Sequence, residues 1–110
     1  MPQYIQSNRL YTEYAVHIRD AIQLGRPKDL HYEPSGADAR RVLSLSRINT
    51  VPGQDRDEYP FASTREGGTG ADVRLIDFSH NRRGGNDLKQ FYSTKLNNIP
   101  NKLFHVRIIP

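Results

Sequence analysis

Residues 55–72 read DRDEYPFASTREGGTGAD, and no other stretch constrains the fold of this chain as strongly. Asp55, Asp57, Glu58 and Glu66 crowd around a short apolar run of Tyr59, Pro60, Phe61 and Ala62, and Gly67, Gly68 and Gly70 then release the chain. Carboxylates held close repel one another, so a fold that gathers them supplies a cation, a metal or a shared proton. A hydrolytic metal site is one reading of the cluster and a solvated acidic loop is the other. Acid spacing by itself favours the loop, because surface acid pairs are common.

The surrounding chain narrows the choice. With 110 residues there is material for one domain with one modest core, so residues 1–110 are expected to form a single domain. Apolar residues recur in short periodic groups from end to end, which argues against disorder despite a mean hydropathy of −0.75. A net charge of +4, carried largely by arginine, favours a polyanionic partner such as DNA without proving one. Cysteine is absent, which excludes disulfides, zinc thiolate sites and thiol catalysis. No apolar run approaches membrane-spanning length, and MPQYIQSNRL lacks the apolar core of a signal peptide, so no membrane partner is expected.

Tyr4 and Ile5 open a short predicted strand. Helical periodicity begins near Tyr11: Tyr14, Ala15, Ile18, Ala21 and Ile22 share a face, Thr12 is a plausible N-cap, and Gly25 with Pro27 ends the run. His17 and Arg19 fall on the opposite face, where they could meet a phosphate but are expected in solvent. Residues 26–34 have turn chemistry. Ser35, with Asp38 three positions on, signals the N-cap of a second helix lined on one face by Ala39, Val42, Leu43 and Ser46, with Arg40 and Arg41 projecting a paired positive charge. A turn-rich connection over 49–55 leads to the acid cluster. Residues 59–63 and 73–78 then read as a hairpin with a long glycine-rich loop. SHNRRGGN at 79–86 reads as a polar corner feeding a helix from Asn86 or Asp87 to about Leu96, stopped by Asn97, Asn98 and Pro100. Residues 103–109 form a last strand.

Residues 57–96 thus give strand, loop, strand, corner, helix, a ββα unit that can cup one divalent cation between strand and helix. A hard cation such as Mg²⁺ takes oxygen ligands, keeps most of its waters and needs only one or two protein groups. Asn81 suits that role through its side-chain carbonyl. Asp57 or Glu58 could ligate the metal or take the proton from an attacking water. Arg56, Arg82 and Arg83 would hold non-bridging phosphate oxygens. NRRGG is equally compatible with a solvated turn.

The block DRDEYPFASTREGGTGADVR, with HIRDAI at 17–22, SGADARR at 35–41 and HNRRGG at 80–85, closely resembles the NucA/NucB deoxyribonuclease family of bacilli, in collinear order over about residues 9–109. The resemblance implies a small α+β domain with a ββα-metal, His-Me finger-like core, flanking helices and a C-terminal strand. It implies an endonuclease that uses Mg²⁺ or Mn²⁺ to hydrolyse DNA phosphodiester bonds with little sequence preference. In the wider ββα-metal group a DRGH motif supplies the general base and a corner asparagine holds the cation. Here residues 55–58 fill the DRGH-like slot with carboxylates, Asn81 matches the asparagine, and the base is Asp57 or Glu58. Glu66 matches an acid of the family block, as a ligand, a support for the ligands or a residue that pins the glycine turn. His80 stands where an acid is usual, and Gln90 is the candidate for a helix-borne second ligand.

The bacillus proteins carry two cysteines whose slots here are Leu30 and Thr64, and their absence suits a reducing cytosol. The expectation that follows is a monomeric toxin domain of a larger bacterial effector, secreted or delivered into a target-cell cytoplasm and neutralised by an acidic cognate immunity protein. A non-catalytic nucleic-acid-binding module on the same fold is the alternative.

Overall fold

The acidic stretch forms one strand of a hairpin, and the remaining elements are packed so as to hold that hairpin from both faces. The computed structural model describes residues 1–9 and 12–110; Tyr11, where the helical periodicity begins, lies outside the described residues. In chain order the described elements are β1 (Gln3–Ser7), α1 (Thr12–Gln23), β2 (Asp29–His31), α2 (Ala37–Leu45), β3 (Gln54–Tyr59), β4 (Asp72–Asp77), α3 (Phe78–Lys95) and β5 (Leu103–Ile109). This is an α+β arrangement with two sheets. β5 lies between β1, to which it runs parallel, and β2, to which it runs antiparallel, while β3 and β4 form the separate antiparallel hairpin.

The core is aromatic. Phe91 and Tyr92 of α3 pack on Phe104 of β5 with ring centroids 5.3 and 5.8 Å apart, and Tyr4 of β1 meets Phe61 and Phe91 at 5.9 and 5.4 Å. Tyr14, Ile18 and Ala21 of α1 and Tyr59 and Ile76 of the hairpin join the same cluster. Large rings supply much apolar area per residue, which is how so polar a chain assembles a core.

Several boundaries differ from those read in the sequence, each for a physical reason. The first hairpin strand is Gln54–Tyr59, not 59–63, so the acids lie along the strand rather than at its start. Asp57 stands opposite Arg74 and Tyr59 opposite Asp72, so the cross-strand partners offset the acids' low strand propensity. The expected corner at 79–86 and the helix start at Asn86 or Asp87 are also corrected. α3 begins at Phe78, capped by Asp77, whose carboxylate accepts from the N–H groups of Ser79 (2.8 Å) and His80 (3.3 Å). Asn97 and Asn98, both left-handed at φ 53°, terminate it as the sequence suggests.

Two glycines inside a helix cost about 1 kcal/mol each relative to alanine, and one of them is required by packing. A Cβ on Gly84 would lie 2.4 Å from Cδ2 of the buried Tyr14 ring, so only glycine lets α3 approach α1 this closely. Tyr4 fixes the same junction, its hydroxyl lying 3.0 Å from that of Tyr14 and donating to the Gly84 carbonyl at 3.1 Å. Gly84→Ala is therefore expected to destabilise the fold by about 1–3 kcal/mol through overpacking. Gly85→Ala, with nothing within 4 Å of the new methyl, should be neutral or stabilising. Urea unfolding of the two variants side by side checks the difference.

The turn chemistry at 26–34 conceals β2, whose three residues are too few to show an alternation. Ser35 does not cap α2: the N-cap is Gly36 at φ 86°, with no side-chain bond to the helix. Nor does the apolar stripe of α2 reach the core, Val42 and Leu43 being 68% and 58% exposed. The helix is held by arginines instead. Arg40 donates to the carbonyls of Ala62 (2.7 Å) and Glu33, and Arg56 caps the far end through the carbonyls of Leu45 (3.3 Å) and Ile48 (2.9 Å). Among the described residues no helix is long and apolar enough to cross a membrane.

Candidate active site

Strand alternation sends Asp55, Asp57 and Tyr59 to one face of β3, and Arg56 and Glu58 to the other. Their partners bear this out: Asp55 and Asp57 meet α3 and α1, while Arg56 and Glu58 meet the α2 region. A cleft of about 210 Å³ runs between these layers, with Asp57, Glu58, Arg56, Arg41 and Asn81 among its lining residues and Phe61, Leu88 and Tyr14 beneath them. β4 occupies one edge of β3, so the cleft follows the other.

Asp57 is buried and its Oδ2 lies 2.7 Å from Nδ1 of His17 on α1. The second ring nitrogen of His17, Nε2, lies 2.9 Å from Oδ1 of Asp72 on β4. Both nitrogens lie within hydrogen-bonding distance of carboxyl oxygens, an arrangement that favours the doubly protonated ring. Burial draws the His17 pKa down, but Asp57 and then Asp72 outweigh it and the net direction is up. Burial pushes the Asp57 carboxyl above its ordinary range, against the opposing pull of His17.

Glu58 is also raised by burial, with the Ser44 hydroxyl and the Arg41 guanidinium acting against it. Ser44 donates to Oε2, and Arg41 Nε lies 3.5 Å from Oε1. Asn81, in the first turn of α3, donates from Nδ2 to Asp55 Oδ2 at 3.0 Å. That bond fixes the amide and leaves its carbonyl oxygen to point elsewhere. Arg82 binds the same Asp55 (3.3 Å) and lies over the Phe78 ring, 4.9 Å from its centroid.

A family model described as deoxyribonuclease NucA/NucB matches residues 26–106. The chain belongs to the NucA/NucB family. Over 75 residues it is 43% identical to the DNA-entry nuclease of Bacillus subtilis (strain 168), a match covering 68% of this chain and 51% of that protein. The chain therefore spans about half the length of this curated relative.

In this NucA/NucB domain the sequence-derived candidates separate clearly. Asp57, Glu58, Asn81 and Arg56 meet at the cleft. Glu66 does not line it: both carboxylate oxygens are taken by His31, through its backbone N–H (2.8 Å) and Nδ1 (2.6 Å), so Glu66 pins β2 rather than the glycine turn. His80 accepts from the Glu13 N–H at 3.3 Å, while Glu13 accepts from the Asp77 N–H at 2.6 Å, tying the starts of α1 and α3 together. Gln90, nine positions beyond Asn81, falls on the other side of α3 and is exposed. Arg83 is exposed and makes no hydrogen bond or ion pair among the described residues.

Two residues at or behind the cleft are not singled out as site residues by the sequence reading. His17 was expected in solvent and is completely buried. The face of α1 that carries it is covered by the hairpin, whose Arg74 also reaches Asp20 at 2.9 Å, one helical turn on. Polar residues three apart on a helix, followed later by acids and a basic residue on paired strands, are the available signal, and it is weak. Arg41 was read only as surface charge but lines the cleft beside Glu58.

Proposed function

We propose that this domain is an endonuclease that hydrolyses DNA phosphodiester bonds with the help of a divalent cation, Mg²⁺ or Mn²⁺, and with little sequence preference. The observation that carries the reading is the meeting, in one cleft of a β-β-α unit, of a buried carboxylate and an oriented asparagine. Membership of the NucA/NucB family and the likeness to a DNA-entry nuclease support it.

The described residues contain no cluster of three or more His, Cys, Asp or Glu side chains able to hold a metal. Few, hard oxygen donors fit a cation that keeps most of its own water, and Asn81 would hold it through Oδ1, its amide already fixed by Asp55. When bound, such an ion neutralises charge building on the phosphate and the leaving oxygen.

We assign the general base to Asp57. His17 engages Oδ2 of its side chain, the Glu58 N–H also donates to the carboxylate, and burial raises its proton affinity above that of an ordinary carboxylate. Both Glu58 oxygens have partners on α2, so Glu58 serves to orient Arg41 at the cleft wall. Arg41 and Arg56 present cations to the phosphate backbone, which carries no base identity, and Arg82 and Arg83 extend the same charge along α3.

Leu30 and Thr64, in the cysteine slots of the bacillus proteins, are both fully buried, so packing closes the fold there. A fold closed by packing there needs no disulfide, which is compatible with the further proposal of action in a reducing compartment, as a toxin domain delivered into a target cell and held off by an acidic immunity protein. Incubating the domain with plasmid and unrelated linear duplexes in Mg²⁺ or Mn²⁺ tests the activity. Salt-dependent binding without cleavage in either metal would replace the enzyme with a nucleic-acid-binding module.

A further inference from the structure

We propose that His17 and Asp72 are positioning residues for the reaction: with Asp57 they form a carboxyl–imidazole–carboxyl chain that fixes the attacking-water face of Asp57 toward the cleft. The proposal rests on Asp57 as general base. Its warrant is geometric. Three residues from three elements, α1, β3 and β4, meet with separations of 2.7 and 2.9 Å about a ring with no solvent exposure.

The hairpin register accounts for the alignment. Tyr59 stands opposite Asp72 and Asp57 opposite Arg74, and 57 and 59 share a strand face, so both acids of the chain face α1. One side-chain oxygen of Asp57 is thereby committed to the interior while the residue itself still borders the cleft. Asp72 on the far nitrogen prevents the ring from turning, because rotation would leave one carboxylate without its donor. A base must be held within a fraction of an ångström of its productive place, and a ring locked at both nitrogens does this better than a single hydrogen bond.

Gluing α1 to the hairpin is a competing role for the same contacts, and the neighbouring Asp20–Arg74 pair provides the control. That pair crosses the same interface, and although Arg74 stands opposite Asp57 in the hairpin, its ion pair is made with Asp20. Plasmid-nicking kinetics and melting temperatures are to be compared for the wild type, His17→Gln, Asp72→Asn, Asp20→Asn, Asp57→Asn and the His17→Gln/Asp57→Asn double variant. His17→Gln is expected to lower kcat by about 10- to 100-fold, the range typical of a partner that orients an active group, with KM for DNA little changed. Asp72→Asn, which keeps the His17–Asp57 contact, should lose less, and Asp20→Asn should lower only the melting temperature.

In the Asp57→Asn background, loss of His17 should cost less than about twofold more, because its effect passes through Asp57. If His17→Gln lowers kcat no more than Asp20→Asn, or if its effect multiplies fully with that of Asp57→Asn, the positioning role is overturned while the base stands. Wild-type cleavage by Asp57→Asn overturns both. Should His17→Gln fail to fold, Asp72→Asn decides the matter: unchanged kcat in that variant contradicts the chain.

Discussion

Asp57→Asn is expected to lower the turnover of supercoiled plasmid by about 10²- to 10⁴-fold, the usual contribution of a general base. The substitution keeps the size of the side chain and an oxygen for His17 while removing the capacity to take a proton. Glu58→Gln should lose much less, since the Ser44 hydroxyl still finds an acceptor and Arg41 keeps its bond to Asp38 at 3.1 Å. The wild-type pH profile carries a second mark of the same assignment. The base works only when ionised, and burial raises its proton affinity, so kcat should fall with decreasing pH through a value above the ordinary carboxylate range. That limb should vanish from the residual activity of Asp57→Asn. Equal losses in Asp57→Asn and Glu58→Gln would instead divide the role between the two acids.

The second large effect concerns the cation. Asn81→Ala removes the neutral side-chain oxygen donor that α3 presents to the cleft, and it should raise the metal concentration giving half-maximal cleavage by at least about tenfold. Added Mn²⁺ should recover much of the rate, which distinguishes a lost ligand from a lost base. Asp55→Ala should shift the metal dependence in the same direction by roughly 10- to 100-fold, because the Asn81 amide then lacks the acceptor that orients it. The melting temperature of Asp55→Ala should change only slightly, since the Arg82 pair that it also breaks is largely exposed. Isothermal titration of Mn²⁺ into each protein without DNA measures the same shift independently of turnover.

Part of this site is legible in the sequence. Crowding of Asp55, Asp57 and Glu58 forces a question about neutralisation, and Asn81 with its neighbouring arginines suggests where the answer comes from. Strand alternation, once the strand is placed at Gln54–Tyr59, divides the acids between two faces, and that division gives Asp57 and Glu58 different partners, His17 for the one and Ser44 for the other. The strand start is obscured because acids and arginines are poor strand formers, and cross-strand partners 13 (Tyr59–Asp72) to 23 (Gln54–Asp77) residues away override local propensity.

Other features depend on tertiary contacts with no local signature. Gly84 and Gly85 mark a turn in most sequences, whereas here a tyrosine ring from α1 occupies the space of a missing Cβ and the helix runs through. That shift puts Asn81 on a rigid helical turn instead of a flexible corner. His17 belongs to a helix face that reads as solvated until the hairpin is laid over it, and it lies outside the segment matched by the family model. Glu66 shows the reverse case. Its place in the acid cluster suggests chemistry, and its two bonds to His31 show how an acid in such a cluster can serve to anchor a strand.

The most direct test of the central claim is cleavage of supercoiled plasmid by the wild-type domain in excess EDTA, followed by stepwise return of Mg²⁺ or Mn²⁺, with Asn81→Ala and Asp57→Asn run beside it. The account predicts no cleavage in EDTA, recovery by the wild type as metal returns, recovery by Asn81→Ala only at higher metal, and no comparable recovery by Asp57→Asn. Undiminished cleavage in EDTA, or wild-type rates in both variants at every metal concentration, would contradict it.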